Sequence, residues 1–262
     1  MSIALDDFVR AVETIAPKSL AYEWDNTGTL LRFADQISSV LITLDVTGAV
    51  IDEAEKLGCD MILSHHPLLF EPIKSLGCNK ASEALLMRLV KSGISLYSAH
   101  TSFDRAKGGM GDILAKKLKL EKIETVPDLG EDLMRTGYLI EPLNKDQFVT
   151  YVKSALGVEI VHVSLKCADI VDKVAVIGGS GGDFIEAAKM EGAKALVTGE
   201  AKLHHFIEAD ETLVFLIAAG HYETERYFIE EVFISLQSHL NELQSNLRLF
   251  KAESANAPYE YI

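Results

Sequence analysis

Short apolar segments alternate with amphipathic segments in the first half of the chain. They predict strands at 40–44, 61–63 and 94–98, separated by helices at 48–57 and 82–92. A glycine follows each helix, where a left-handed residue commonly ends one. This β-α-β-α-β order is typical of a mostly parallel sheet with helices on its faces.

The same order of elements recurs near the other end of the chain. The pattern there predicts strands at 174–177, 195–197 and 213–218, with helices at 183–191 and 204–209. The amino-acid sequence of the first helix in each series is also similar. The sequence therefore predicts an α/β fold with two lobes of related topology.

The stretch between the two series has a different pattern. It predicts one helix, at 145–156, between strands at 138–140 and 160–163. A final helix is expected over 223–250, with apolar residues at helical spacing that suit a core or a subunit interface. We divide the chain into a first α/β lobe at 1–125, a connector or excursion without a large inserted domain at 126–170, and a second α/β lobe with a C-terminal helix at 171–262.

Composition narrows the classes of protein to consider. The chain has 25 lysine and arginine residues against 39 aspartate and glutamate residues, a net charge of −14, which disfavours a general nucleic-acid binder. No apolar run approaches the roughly 20 residues of a membrane span, and the first residues lack a signal-peptide pattern, so we expect a cytoplasmic protein without membrane contact. Three scattered cysteines without a CxxC pattern indicate neither a disulfide framework nor a thiolate zinc site.

Six of the eight histidines lie in four short segments that follow predicted strands. The segments are His65–His66, His100–Asp104, Gly199–His205 and Gly220–Glu225. In open α/β sheets the carboxyl ends of the strands form the ligand crevice. If the two lobes face each other, these four segments converge on one site.

Imidazole and carboxylate groups without thiolate suit zinc, manganese, iron, cobalt or nickel better than calcium. The adjacent rings of His65 and His66 diverge, which favours one ion for each of them and hence a dinuclear site. His221 and Glu225 share a helix face, and Glu225 or Asp104 would span the two ions. Each residue alone has a structural explanation, such as a turn cap for Asp104 or a first-turn acid for Glu225. Their occurrence together favours two divalent transition-metal ions.

The glycine-rich turn at 178–182 follows a predicted strand and precedes a helix. Such a turn can cradle a phosphate, and Glu200 lies about 20 residues later, where a ribose-binding acid is expected. The spacing is not GxGxxG, however. A tight turn with close helix–sheet packing is the favoured interpretation.

Six segments together resemble the GTP cyclohydrolase 1 type 2 homologue family, also called Nif-three-like, nearly end to end. They are Glu23–Gly28 (Glu-Trp-Asp-Asn-Thr-Gly), Ser64–Pro67, Ala99–Asp104 with Gly108–Gly109, Gly178–Gly181, Thr198–Glu200 with His204–His205, and Gly220–Glu225. The chain departs from the family text at Thr29–Arg32 and at Ser102–Phe103, neither of which includes a proposed ligand. Arg32 would alter the charge of a pocket.

This resemblance implies two intertwined α/β lobes, a dinuclear metal site between them and a ring-shaped homohexamer. The family's metal ligands correspond to His65, His66, Asp104, His221 and Glu225, with Glu225 bridging the ions. Two function classes remain. One is a metal-dependent hydrolase of C–N bonds, acting on a nucleotide such as GTP or on a cyclic amide. The alternative is a non-enzymatic metal-binding scaffold or metallochaperone.

In the hydrolase interpretation, Glu200, His204 or His100 would transfer the proton, a role that requires hydrogen-bond reach.

A separate expectation concerns Trp24, the single tryptophan. We expect it to be buried at the lobe junction, with Asp25 or Asn26 tying its turn to the outer part of the site.

Overall fold

The computed structural model describes residues 2–73, 76–77, 80–126 and 133–260 and shows a mixed α/β protein with helices flanking its sheets. The strands are β1 (Ile3–Ala4), β2 (Gly28–Leu31), β3 (Gln36–Ile37), β4 (Ser39–Thr43), β5 (Met61–Ser64), β6 (Ser95–Ser98), β7 (Glu121–Thr125), β8 (Arg135–Leu143), β9 (His162–Val163), β10 (Val171–Val176), β11 (Ala195–Thr198), β12 (Phe215–Ala218) and β13 (Arg248–Lys251). The α-helices are α1 (Leu5–Ile15), α2 (Gly48–Leu57), α3 (Ala81–Ser92), α4 (Thr101–Asp104), α5 (Met110–Lys117), α6 (Lys145–Leu156), α7 (Ile185–Met190), α8 (Leu203–Thr212), α9 (His221–Glu225) and α10 (Tyr227–Glu242).

The chain forms two compact units, each built from two segments. Unit 1 comprises Met1–Ala106 and Tyr227–Asn256, and unit 2 comprises Lys107–Arg226 and Ala257–Ile262. These units cross the predicted lobe boundaries, because the long C-terminal helix belongs to unit 1 rather than to the second lobe. The chain therefore leaves unit 1 after Ala106 and returns to it at Tyr227.

Unit 1 contains a five-stranded sheet in the order β13-β4-β5-β6-β2, in which only β2 is antiparallel to its neighbour. Every residue of β4, β5 and β6 is buried, so both faces of these strands are covered, as expected for a mostly parallel sheet. One face packs against α2 and α3 through a core that includes Leu41, Ile62 and Leu96. Helix α10 packs against β4 and β13.

Unit 2 contains a six-stranded sheet in the order β7-β8-β10-β11-β12-β9. Its three central strands, β10, β11 and β12, are parallel, and the outer strands pair antiparallel. Strands β8 and β9 come from the predicted connector at 126–170. That stretch is thus part of the second sheet, since β8 pairs with β10 and β9 with β12.

The prediction of one helix over 223–250 is wrong at its end. Helix α10 stops at Glu242, Gln244 adopts a left-handed φ of 52°, and β13 then pairs in parallel with β4. The apolar stripe of α10 is core, since Phe228, Val232 and Leu236 are buried. Neither α10 nor any other helix in the described part of the chain is long and apolar enough to cross a membrane.

Candidate metal centre

Three histidines meet where β5 and β6 end in unit 1. His65 and His66 follow β5 directly, and His100 precedes the short helix α4 just after β6. These parallel strands pair in register up to Ser64 and Ser98, so their ends are level. One ring nitrogen from each of the three histidines lies within 4.8 Å of the others. The ends of these two strands therefore bring the three imidazoles together.

An oxygen acceptor holds the Nδ1 atom of each of these rings. The acceptors are the Ala99 carbonyl for His65 at 2.9 Å, the Asp45 carboxylate for His66 at 2.8 Å and the Asp25 carboxylate for His100 at 2.9 Å. Because these oxygens accept, Nδ1 carries the proton, and in the neutral ring Nε2 has the lone pair that a metal requires. Such outer hydrogen bonds are the usual support of metal-binding histidines, so the donor set fits a transition-metal ion.

Asp104 adds a carboxylate to the three imidazoles. Its Oδ1 lies 3.5 Å from Nε2 of His65, whose side chain is fully buried against Phe228 at 4.8 Å between ring centroids. Two ligands at zinc distances of about 2.0–2.2 Å in a tetrahedral shell are about 3.3–3.6 Å apart. The separation of His65 and Asp104 is compatible with a shared ion.

Asp25 organises the segment that carries His100. Its carboxylate accepts hydrogen bonds from His100 Nδ1, from the Thr101 N–H at 3.1 Å and from the Thr101 hydroxyl at 2.6 Å. Burial would raise the pKa of Asp25, but these hydrogen bonds outweigh it and hold the pKa below its ordinary value. Asp25 thus ties its turn to the site, whereas Asn26 donates to the Leu69 carbonyl. His100, predicted as a proton-transfer residue, also lies in the imidazole cluster. Its position directly after a strand, like that of His65, could have indicated this.

Unit 2 holds a second imidazole–carboxylate pair at the end of β12. His221 opens α9, and its Nε2 lies 2.9 Å from the Oε2 of Glu225 one turn later, as the spacing predicts. Glu225 is buried. The exposed Glu200 follows β11, and its Oε1 lies 3.4 Å from His221 Nδ1. The pair and Glu200 meet because β11 and β12 are parallel neighbours.

The glycine-rich turn packs directly beneath this pair. Gly179 has a φ of +58°, and a β-carbon there would overlap the Glu225 carboxylate. Its N–H donates to the Thr224 hydroxyl at 3.2 Å, and the Gly181 N–H donates to the Thr198 hydroxyl at 2.9 Å. Threonine hydroxyls thus accept the hydrogen bonds of these amides, and the interpretation as a tight, closely packed turn is confirmed.

A cavity of about 440 Å³ in unit 2 opens beside His221. His162, Glu200, Lys202 and Tyr259 contribute to its lining. The Tyr259 hydroxyl donates to Glu223 at 2.6 Å, which fixes that side of the cavity. Glu200 is therefore the one predicted proton-transfer residue that lines this space among the described residues.

His204 occupies a different position, exposed on α8 and 4.1 Å from the His205 ring between centroids. His205 Nδ1 accepts from the Lys202 N–H at 3.0 Å, so its Nε2 carries the proton and donates to Asp183 at 2.9 Å. Both ring nitrogens of His205 are engaged in this way. Although Asp183, His204 and His205 lie close enough for a metal ion, the geometry of His205 indicates a helix cap.

Two expectations about the surface need correction. Trp24 is not buried but 59% exposed, because its ring stacks on the half-buried Tyr22 instead of entering the core. Arg32 is held by Asp6 at 2.6 Å and Asp35 at 3.1 Å, so its charge is balanced by surface carboxylates.

The fold and these clusters define a two-unit α/β protein with imidazole and carboxylate groups at the ends of its parallel strands. The Duf34/NIF3 (NGG1p interacting factor 3) family model matches residues 3–258, and the chain belongs to that family. A GTP cyclohydrolase 1 type 2 homolog from Clostridium perfringens is 31% identical over 264 residues, covering 98% of this chain and 99% of that protein. The NGG1-interacting factor 3 of Saccharomyces cerevisiae is 33% identical over 261 residues, covering 88% of this chain and 90% of that protein.

A solved structure shows the same fold. The Bacillus cereus protein related to NIF3 superimposes with a TM-score of 0.91 at 24% identity and covers 99% of both chains. The predicted α/β fold class is confirmed by this similarity.

Proposed function

We propose that the chain is a metal-dependent hydrolase of C–N bonds that holds two divalent transition-metal ions. The ligands in this proposal are His65, His66, Asp104, His221 and Glu225, with Glu225 bridging. The observation that carries it is the orientation of the imidazoles in unit 1, each with Nδ1 held by an oxygen acceptor. Zinc, iron, manganese, cobalt and nickel all suit such ligands.

The names of the relatives support the proposed substrate class. Several of them carry the name GTP cyclohydrolase 1 type 2 homolog, so a nucleotide is the first candidate and a small cyclic amide the second. Bound metal ions would polarise the substrate and lower the pKa of water at the site. Proton transfer would be carried out by side chains of the chain itself.

Two of the three predicted proton-transfer residues have positions that support the role. His100 has its Nδ1 fixed by Asp25, so it would accept or release a proton at Nε2. Glu200 is exposed at the cavity beside His221, where its carboxylate can take a proton from substrate or water. His204 remains the third candidate, although it lies outside the lining of that cavity.

Metal content of two variants tests the ligand assignment. Glu225→Gln is expected to lose both metal equivalents, because a bridging carboxylate supports both ions, whereas Asp104→Asn is expected to lose one. Elemental analysis after reconstitution and desalting measures this, with the exposed Glu186→Gln on α7 as a control that keeps both. The bridging assignment fails if Glu225→Gln keeps two equivalents while Asp104→Asn loses them.

Turnover requires a separate experiment. The metal-loaded protein is incubated with nucleotides and small cyclic amides, and ring opening is followed by chromatography. We expect hydrolysis that disappears in Glu225→Gln. A protein that binds two ions yet turns over none of these compounds would instead be a scaffold or metallochaperone.

A further inference from the structure

Three aromatic side chains form an open surface beside the imidazole cluster of unit 1. Trp24 stacks on Tyr22 at 5.3 Å between centroids and meets Phe70 at 5.9 Å. Trp24 and Phe70 are 59% and 51% exposed, although both are large and apolar. We call Tyr22, Trp24 and Phe70 the aromatic platform.

The platform touches the site directly. The His100 ring lies 6.3 Å from Trp24 and 6.2 Å from Phe70 between centroids, edge-on to both. His100 is the residue whose Nδ1 is fixed by the buried Asp25 carboxylate. A molecule lying against the platform would therefore lie next to a ring nitrogen that is suited to proton transfer.

A cation–π contact and several hydrogen bonds hold the platform in place. The Arg105 guanidinium lies 4.7 Å over the Tyr22 ring and donates to the Leu20 carbonyl at 2.6 Å. The Tyr22 N–H donates to the hydroxyl of Thr101, at the start of α4. Asn26 donates to the Leu69 carbonyl, which joins the segment carrying Trp24 to the one carrying Phe70. The exposed rings are thus presented by a fixed scaffold rather than by a loose loop.

Exposed aromatic rings beside polar groups that converge on one point are typical of a ligand site. Flat π-faces bind flat rings, and base–aromatic stacking is tolerant of which base is bound. We propose that the aromatic platform binds the planar heteroaromatic ring of the substrate and holds it beside His100. This inference rests on the proposed function, and it names the feature of the substrate that is recognised.

The single tryptophan makes the test direct, since all tryptophan fluorescence of the chain comes from Trp24. The metal-loaded and metal-free proteins are titrated with guanosine, uracil and 5,6-dihydrouracil, with N-acetyltryptophanamide as the correction for absorption. Saturable quenching is expected for guanosine and uracil. Dihydrouracil keeps the polar groups of uracil but lacks its aromatic ring, and is expected to bind at least tenfold more weakly than uracil.

Variants assign the effect to the platform. Phe70→Leu keeps the fluorescent reporter and is expected to weaken guanosine binding about tenfold, within the range of one lost stacking contact. Phe33→Leu is the matched control, because Phe33 is 43% exposed in the same unit and is expected to leave binding unchanged. Trp24→Leu and Trp24→Phe are compared by equilibrium dialysis with radiolabelled guanosine, and only Trp24→Phe should retain binding.

The inference is overturned if no planar ring gives saturable quenching, or if dihydrouracil binds as well as uracil. It is also overturned if Trp24→Leu leaves guanosine binding intact but changes the mass of the assembly in light scattering, since the platform would then be a subunit contact. Ring binding without metal or turnover would support the platform while contradicting the hydrolase. Metal binding and turnover without any effect of Trp24→Leu on KM would support the hydrolase while contradicting the platform.

Discussion

At the scale of single residues, the hydrogen-bond acceptors of the histidine Nδ1 atoms determine which ring nitrogen can bind a ligand. Asp25, Asp45 and the Ala99 carbonyl each select one tautomer, so each ring presents Nε2 before any ligand arrives. Such preorganisation is the usual function of these partners, and for the proposed ligands His65 and His66 the loss of a partner typically reduces metal affinity about 10- to 100-fold. The carboxylates also contribute negative charge, which favours binding of cations.

Gly179 offers a residue-scale test of the packing beneath Glu225. Gly179→Ala should cost about 1–2 kcal/mol in unfolding free energy because of its left-handed φ, and should also displace the Glu225 carboxylate. Gly58→Ala is the matched control: Gly58 has a φ of +63°, but nothing lies within 4 Å of an added β-carbon. Denaturant unfolding and metal analysis of both variants distinguish strain from displacement. Equal metal content in the two variants would contradict the expected displacement of the Glu225 carboxylate.

At the scale of elements, register brings the site segments level. Strands β5 and β6 are joined at their ends by the Ser64 and Ser98 hydroxyls, 2.8 Å apart. At the opposite end of the sheet, the Asp60 carboxylate accepts from the Ser38 N–H at 2.7 Å and the Ser39 N–H at 3.1 Å. Asp60 therefore fixes the start of β4 next to β5.

Asp60 gives a prediction for the pH dependence of stability. Burial raises the pKa of Asp60, but hydrogen bonds from Ser38 and Ser39 outweigh it, so the pKa lies below the ordinary 3.8. A lowered pKa means that the carboxylate stabilises the fold above about pH 4 and that this contribution is lost as pH falls through the folded-state pKa. Asp60→Asn should therefore cost about 1 kcal/mol at pH 7, with the difference from wild type shrinking towards pH 3.

Urea unfolding at pH 7, 5 and 3 measures this difference. The exposed Asp35→Asn is the control and should change stability by less than about 0.5 kcal/mol at each pH. A cost for Asp60→Asn that grows as pH falls would contradict the assignment.

The sequence predicted the elements that carry strong local signals. Helices α2 and α6 span the predicted residues because Gly58 and Gly157 end them in left-handed conformations. Strand β13 was missed because its four residues, of which only Leu249 is buried, are too few to show a strand pattern, and its partner β4 is about 200 positions away. Pairings between distant segments leave little trace in local patterns.

The candidate site was likewise predictable only in part. Parallel strand ends predicted where the histidines lie, since that follows from topology alone. The supporting role of Asp25 or Asn26 was predicted, and Asp25 has it. The acceptor role of Asp45 depends on a loop conformation and was missed, although Asp45 also follows a strand and could have been considered. Trp24 was misplaced because apolarity argues for burial, whereas its ring is held at the surface by Tyr22.

At the scale of the whole molecule, we expect a homohexamer, as the family resemblance implies. Exposed apolar side chains in unit 2, such as Ile140 in β8 and Leu165, are the kind of surface that subunit contacts cover. The stripe of α10 is unavailable for this purpose because it is buried within unit 1. Size exclusion with light scattering at micromolar concentration should give six times the 28.8 kDa chain mass. A monomer in the presence of metal would contradict the expectation.

The two-segment composition of unit 1 has a consequence for synthesis on the ribosome. Translation delivers residues 107–226 of unit 2 as one stretch, whereas unit 1 must wait for Tyr227–Asn256 after its first segment has emerged. Until then the edge of β4 lacks β13, and His65 lacks the Phe228 ring that packs on it. Nascent chains therefore expose an unpaired edge strand for much of elongation, and such edges are prone to aggregation.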